Sequence, residues 1–314
     1  MFSQHLTQFH GLRVFDLPAA GSADPLPEPD AVAWRLAYDW NAEEDLEAIW
    51  ARFLDTVDTT RVTAVIIGAW SDEMYESDLG AELNRVIEAA DRLPALTGFF
   101  LADVVSEENE ISWIEQTDLA PLLNAFPRLR ELGARGGHRE FGPVRHQELR
   151  TLRLESGGMS GAVVRSIAES ELPALERLEL MLGSENYGGD TTVEDLAPLL
   201  SGTRFPALRH LGLMDSEVQD AIAEAVAQAP VVPMLETLSL ALGVLTDAGA
   251  EALLSGQPLT HLARLDLHHH YLSDAMTQRV REALEPAGVE VDLDDRMKPD
   301  EYDGQVYHYI AVAE

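Results

Sequence analysis

His268, His269 and His270 stand side by side in "HLARLDLHHHYLSD" (261 to 274), two residues after Asp266. Imidazole ligates divalent transition metals and exchanges protons near neutral pH, and a nearby carboxylate orients the ring or shares the metal. Two histidines at i and i+2 with Asp266 form a partial ligand set, but no convincing third arm is visible. Asn186 and Asp190 in "GSENYGGD" (183 to 190) could wrap a cation, although that loop lacks the acidic alternation of a calcium loop. With His138 in "RGGHREFGPVRH" (135 to 146), these residues outline an enzyme or metal-dependent small-molecule binder whose site lies around His138, Asn186, Asp190, His268 and His270. The plainer reading makes the histidines turn and surface residues, and it is the stronger one. His270 falls in the turn after "LARLDL", where an imidazole can satisfy backbone groups as an asparagine side chain does.

Common catalytic frameworks are missing. The chain has no GxSxG elbow, no GxxxxGK[ST] phosphate loop, no HExxH pair and no GxGxxG after a first strand, so no catalytic residue, metal or cofactor is assigned. Zero cysteines remove disulfides, thiolate nucleophiles and cysteine-ligated metals. A formal net charge of -33 opposes binding to a phosphate backbone, which requires clustered lysine and arginine. Nucleic acid is therefore excluded as the expected ligand, and the same field favours encounter with a basic protein or peptide. The N-terminus has no positive flank before an apolar core, and no run approaches the roughly 18 apolar residues of a membrane helix. A cytoplasmic location, away from membranes, is the expectation.

The elements that must position these residues are written as a series. Strings spaced like "LARLDL" (262 to 267) recur as "LTGFFL" (96 to 101), "LRELGA" (129 to 134), "LRTLRL" (149 to 154), "LERLEL" (175 to 180), "LRHLGL" (208 to 213) and "LETLSL" (235 to 240). "VTAVII" (62 to 67) keeps the pattern with β-branched residues, and "AVAWRL" (31 to 36) and "GVEVDL" (288 to 293) keep the alternation at the two ends. Successive strings begin 20 to 34 residues apart, a repeat period. In each, the last two aliphatic residues sit two apart on one face of a short strand. Apolar-periodic helices follow, as in "SEVQDAIAEAVAQA" (216 to 229) and "TVEDLAPLLSG" (192 to 202), where Ser216 with Gln219 and Thr192 with Asp195 have capping-box spacing. The 20-residue step from 129 to 149 leaves no room for a helix.

These strings resemble the leucine-rich-repeat superfamily, particularly its ribonuclease-inhibitor-like branch, and "LETLSLALGVLTDAGAEALLSG" is similar to that branch's strand, turn and helix unit. "LTQFHGLRVFDLP", "ISWIEQTDLAPLL" and "YGGDTTVEDLAPLLSGT" resemble a family of bacterial cytoplasmic leucine-rich-repeat proteins. The resemblance implies an α/β solenoid, or horseshoe, with a parallel concave β-sheet and outer helices. It implies a single domain over 1–314, with an N-terminal cap and first irregular repeat over 1–60, repeats over 61–293 and a C-terminal cap over 294–314. It also implies a helper role beside radical-SAM-like and ATP-grasp-like enzymes encoded nearby.

Residues flanking the inward leucines would then face the concave side: Ile66, Phe100, Gly133, Arg153, Glu179, Gly212, Ser239 and Asp266, and two further on Gly68, Ala102, Arg135, Glu155, Met181, Met214, Ala241 and His268. The segments after the strands emerge along one edge, and inserted loops on one edge of a repeat protein commonly form its binding face. "AWSDEMYESD" (69 to 78) and "SEENEISWIEQTD" (106 to 118) fall there. The expected function is a non-catalytic protein- or peptide-binding scaffold that uses the concave face and this rim. Its expected contacts are Trp70, Trp113, Arg135, Asn186, Tyr187, Asp190, His268, His270 and Tyr271, with the aromatic residues as anchors. The end segments "FHGLRVFDLP" and "DGQVYHYIAVAE" are expected to pair with or cover the terminal strands.

Overall fold

In the computed structural model, residues 2–40, 44–71, 74, 79–137 and 140–313 are described. Each repeated string forms a strand, because alternating side chains on a short extended segment bury one face and leave the other. The strands are β1 (Gln8–Phe9), β2 (Leu12–Asp16), β3 (Val32–Leu36), β4 (Ala64–Ile67), β5 (Gly98–Leu101), β6 (Glu131–Arg135), β7 (Thr151–Glu155), β8 (Arg177–Gly183), β9 (His210–Ser216), β10 (Thr237–Ser239), β11 (Arg264–Asp266) and β12 (Glu290–Asp292). They form one open twelve-stranded sheet whose spatial order is the sequence order. β1 and β2 make an antiparallel hairpin, and β2 to β12 are parallel throughout.

Among the described residues eight α-helices lie between or before these strands: α1 (Leu46–Thr56), α2 (Gly80–Glu88), α3 (Ala120–Ala125), α4 (Gly161–Glu169), α5 (Val193–Leu200), α6 (Gln219–Ala227), α7 (Asp247–Ser255) and α8 (Asp274–Leu284). Among the described residues no helix lies between β6 and β7, as the short step requires. No helix among them is long and apolar enough to cross a membrane.

Register is set by burial, since a one-residue slip would turn every leucine to the other face. Val65, Phe99, Leu132, Leu152, Leu178, Leu211, Leu238, Leu265 and Val291 are paired in succession across the sheet. With helix residues such as Phe53, Val163, Ile167, Ile222 and Val226 they form one continuous core. Burying a leucine contributes about 1.5–3 kcal/mol, so each strand is stabilised only when its neighbours cover it. The capping box of α5 is present, with Asp195 accepting from the Thr192 backbone. The one expected at Ser216 is not. β9 runs through Ser216, and α6 begins after Val218 with no side-chain cap.

The two chain ends differ: the N-terminal segment pairs with the first regular strand as expected, whereas the C-terminal one does not pair with the last. β2 extends the sheet by pairing with β3, but residues before it turn back over the face that carries no helices. There Phe9 meets Phe100 edge-on with ring centroids 5.9 Å apart, packed with Ala33, Ala64 and Ile66. A Cβ on Gly98 would lie 2.7 Å from the His10 ring, so this crossing requires glycine beneath it. At the other end, β13 (Asp300–Tyr302) and β14 (Gln305–Tyr307) form a separate, exposed hairpin. The tail then returns to the middle of the sheet. Ala311 N donates to Leu242 O at 2.8 Å, and Val312 N to Asp215 Oδ1 at 3.0 Å. Phe2 and Val312 reach the same cluster, around Ile111, Met181 and Met214.

Candidate partner-binding rim and the sealed sheet face

The residues expected to form an open concave surface do share one face. Ile66, Phe100, Gly133, Arg153, Glu179, Gly212, Ser239 and Asp266 are paired in succession, ending on Asp292. A row of ion pairs runs along it. Arg35 sits 2.7 Å from Asp16 and 3.3 Å from Asp103, and Arg135 sits 3.7 Å from Asp103 and 2.7 Å from Glu155. Arg153 pairs with Glu155 and Glu179, and His210 lies 2.9 Å from Glu179. Burial disfavours the charged form of Glu179, but the adjacent His210 ring and the charges of Arg153 and Arg177 outweigh it and hold its pKa down to about 2.

Much of this face is closed rather than open. Arg135 is 2% exposed, with its guanidinium 3.8 Å below the Phe2 ring and donating to Val104 O. It is a buried ion-pair partner and not the surface contact expected of it. The N-terminal segment is tied on by Leu6 N, which donates to both oxygens of Asp103 at 3.2 Å, and by His10, whose Nδ1 lies 2.9 Å from Glu131. Nothing local to Arg135 signals that Phe2 covers it.

The rim gathers some expected contacts and loses others. Trp113 sits on a short 3-10 turn (Ile111–Trp113) and is 55% exposed. Its neighbours Ser112, Ile114 and Glu115 line a cavity of about 560 Å³ together with Asn186, Tyr187 and Gly158. A Cβ on Gly158 would stand 2.3 Å from Tyr187 O, so the close packing of these two loops depends on that glycine. Asp190 lies beyond the turn in an adjoining cavity of about 310 Å³ with Glu185 and Glu217, and its Oδ1 accepts from Gly161 N at 2.7 Å. Trp70 is 5% exposed and belongs to the main core: directly after β4 its ring packs inward, which corrects the expectation of a rim anchor. His138 lies outside the described residues, as does most of 72–78.

The histidine triplet divides into three roles. His270 is 0% exposed; its Nε2 donates to Leu293 O at 3.0 Å and its Nδ1 accepts from Leu272 N at 3.0 Å. That pair of bonds defines a neutral ring with both nitrogens in use, and burial lowers its pKa. His270 is therefore neither a partner contact nor a metal ligand. His146 makes the same arrangement with Phe126 O and Leu149 N. His269 and Tyr271 hold the C-terminal tail. His269 Nε2 lies 3.1 Å from Tyr309 O, while the Tyr271 hydroxyl donates to Tyr309 O at 3.0 Å and accepts from Tyr309 N at 2.8 Å. Tyr271 is thus bound to the chain itself rather than presented to a partner.

His268 is half-buried, with Nδ1 2.7 Å from Asp266. That hydrogen bond raises the His268 pKa against the opposing effect of burial. Asp292, opposite Asp266 in register, supplies the missing third arm: ligating atoms of Asp266, His268 and Asp292 lie within 4.8 Å of one another. Asp292 also accepts from Arg264 at 2.7 Å. The aligned aspartates of "LARLDL" and "GVEVDL" carried that signal in the sequence.

A long, open, mostly parallel sheet in sequential order, with helices on one face and a reordered loop edge, defines a repeat-like α/β protein. No family profile matches the sequence, and no curated protein does. Among solved structures, the chain is similar to a crystal structure of a Bacteroides fragilis protein, with a TM-score of 0.78 and 32% identity over 89% of this chain and 76% of that one. The chain belongs to the same family as that protein.

Proposed function

We propose that the chain is a leucine-rich-repeat horseshoe acting as a non-catalytic scaffold, which binds a protein or peptide, basic in character, along the loop edge that follows the strands. The reading rests chiefly on the 560 Å³ rim cavity, where inserted loops bring Ser112, Glu115, Asn186 and Tyr187 together beside exposed Trp113. Exposed aromatic side chains flanked by polar groups are effective anchors. Because the chain's own ends occupy much of the concave face, the rim carries more of the recognition than that face does. Enzymes encoded nearby are the first candidates for partners. Affinity capture from the source cells tests this: wild type should retain a partner that Trp113→Ala and Asn186→Ala both lose while melting at unchanged temperature. Retention of the same partner by both variants, or none by wild type, would contradict it.

A second reading has one observation in its favour. Asp266, His268 and Asp292 offer two oxygens and a nitrogen, a donor set suited to a divalent transition metal. Titration with zinc at pH 7.5 should then show one site that Asp292→Asn abolishes. Equal zinc uptake by the variant would discard it.

A further inference from the structure

A second recognition site, built from different residues and standing apart from the rim reading, lies at the start of the sheet. Directly after β3, Tyr38 and Trp40 place their rings 6.0 Å apart with planes at 72°, two walls of a corner. The strand end is held in place, since Tyr38 N donates to Ala69 O at 2.7 Å and Leu17 N to Arg35 O at 3.0 Å. Trp40 is 52% exposed although the corner opens onto a cavity of about 280 Å³. The other walls are acidic: Asp16, Asp39 and Glu108 line the cavity with Tyr38 and Trp40.

Arg35 is the one basic group among the described lining residues, and its charge is already met by Asp16 at 2.7 Å and Asp103 at 3.3 Å. Both cation-ring contacts among the described residues belong to Arg135, on Phe2 and Phe100. Glu108 is fixed by Val105 N at 3.1 Å and faces His5 at 3.4 Å. Burial opposes its ionisation, but the nearby His5 ring and the backbone bond prevail and lower its pKa, so it is charged at neutral pH. Ring faces attract cations that shed water easily, whereas small metal ions prefer oxygen ligands on all sides.

We propose that this corner binds an organic cation, an alkylammonium group seated against Tyr38 and Trp40 with Asp16, Asp39 and Glu108 around its charge. The group belongs either to a lysine side chain of a basic partner or to a free amine. The apolar stem would lie on the rings and the charged head among the carboxylates.

Titration calorimetry at fixed ionic strength, with butylammonium chloride and an end-blocked single-lysine glycine pentapeptide as probes and sodium chloride as reference, tests the assignment. Both probes should bind at one site. Trp40→Ala should weaken binding about tenfold and Trp40→Phe should retain most of it. Trp113→Ala, on the rim, and Glu194→Gln, on the exposed side of α5, should change nothing, which separates this site from the rim and from the general negative field. A peptide that binds tighter than the amine assigns the corner to a partner's lysine; equal affinities assign it to free amines. Binding unchanged in Trp40→Ala, or displaced equally well by sodium, would overturn the proposal.

Discussion

The two faces of the sheet obey different rules. On the helix-covered face the order is local: each strand and the helix after it come from one stretch of roughly 30 residues, and Leu152, Leu178, Leu211 and Leu238 repeat a single solution. On the other face the order is remote. Phe2 lies over Arg135, Leu6 binds Asp103, and Val312 binds Asp215, the first pair 133 residues apart in the chain and the other two 97. A repeat sequence therefore announces its leucine face in advance, whereas its opposite face is decided by whatever the chain ends do.

Perturbing each face should separate these rules by size and by pH. The largest effect is expected on the leucine face, where Leu238→Asp places a charge in a fully buried position and should destabilise the fold by about 5 kcal/mol or more in urea unfolding. On the sealed face Arg135→Ala would take one cationic partner from Asp103 and Glu155, both fully buried, leaving them Arg35 and Arg153, and should cost roughly 1.5–3 kcal/mol. A cost below about 1 kcal/mol would mean that the termini do not bury this cluster.

Asp215 sharpens the comparison through its proton. Burial pushes its pKa up to about 8, against about 4 in the unfolded chain. Between those values the folded state holds one more proton than the unfolded state, so this group makes stability fall as pH rises, by at most about 1.4 kcal/mol per pH unit. Asp215→Asn keeps the acceptor for Val312 N and suits the left-handed backbone there (φ 56°). Its stability relative to wild type should therefore increase from pH 5 to pH 8, and a constant difference would show that Asp215 is not buried as described. The smallest effect is expected on the rim: Trp113→Ala should shift stability by no more than about 0.5 kcal/mol.

Legibility in the sequence followed the same division. The strands and their register could be read because the spacing of aliphatic residues admits one buried face, and the Thr192 and Asp195 cap because both partners lie within one turn. Trp70 and Trp113 look alike in sequence, each beside acidic residues, yet one directly follows a strand and packs inward while the other rides an inserted turn. His270 could be read as a turn residue from its place after β11, whereas Tyr271 could not be assigned to the tail because Tyr309 lies 38 residues away. Asp292 was legible through the alignment of strands. Trp40 was hidden because nothing in its immediate sequence indicates that Glu108 lines the same cavity.

Hydrogen exchange resolved by residue tests the sealed face most directly. With both ends docked, the amides of Leu6 and Val312 should exchange slowly, like those of β9 and β10, while the exposed hairpin of β13 and β14 exchanges fast. Exchange at Leu6 and Val312 as rapid as in that hairpin would mean the face is open, and the rim would lose its place as the principal accessible surface.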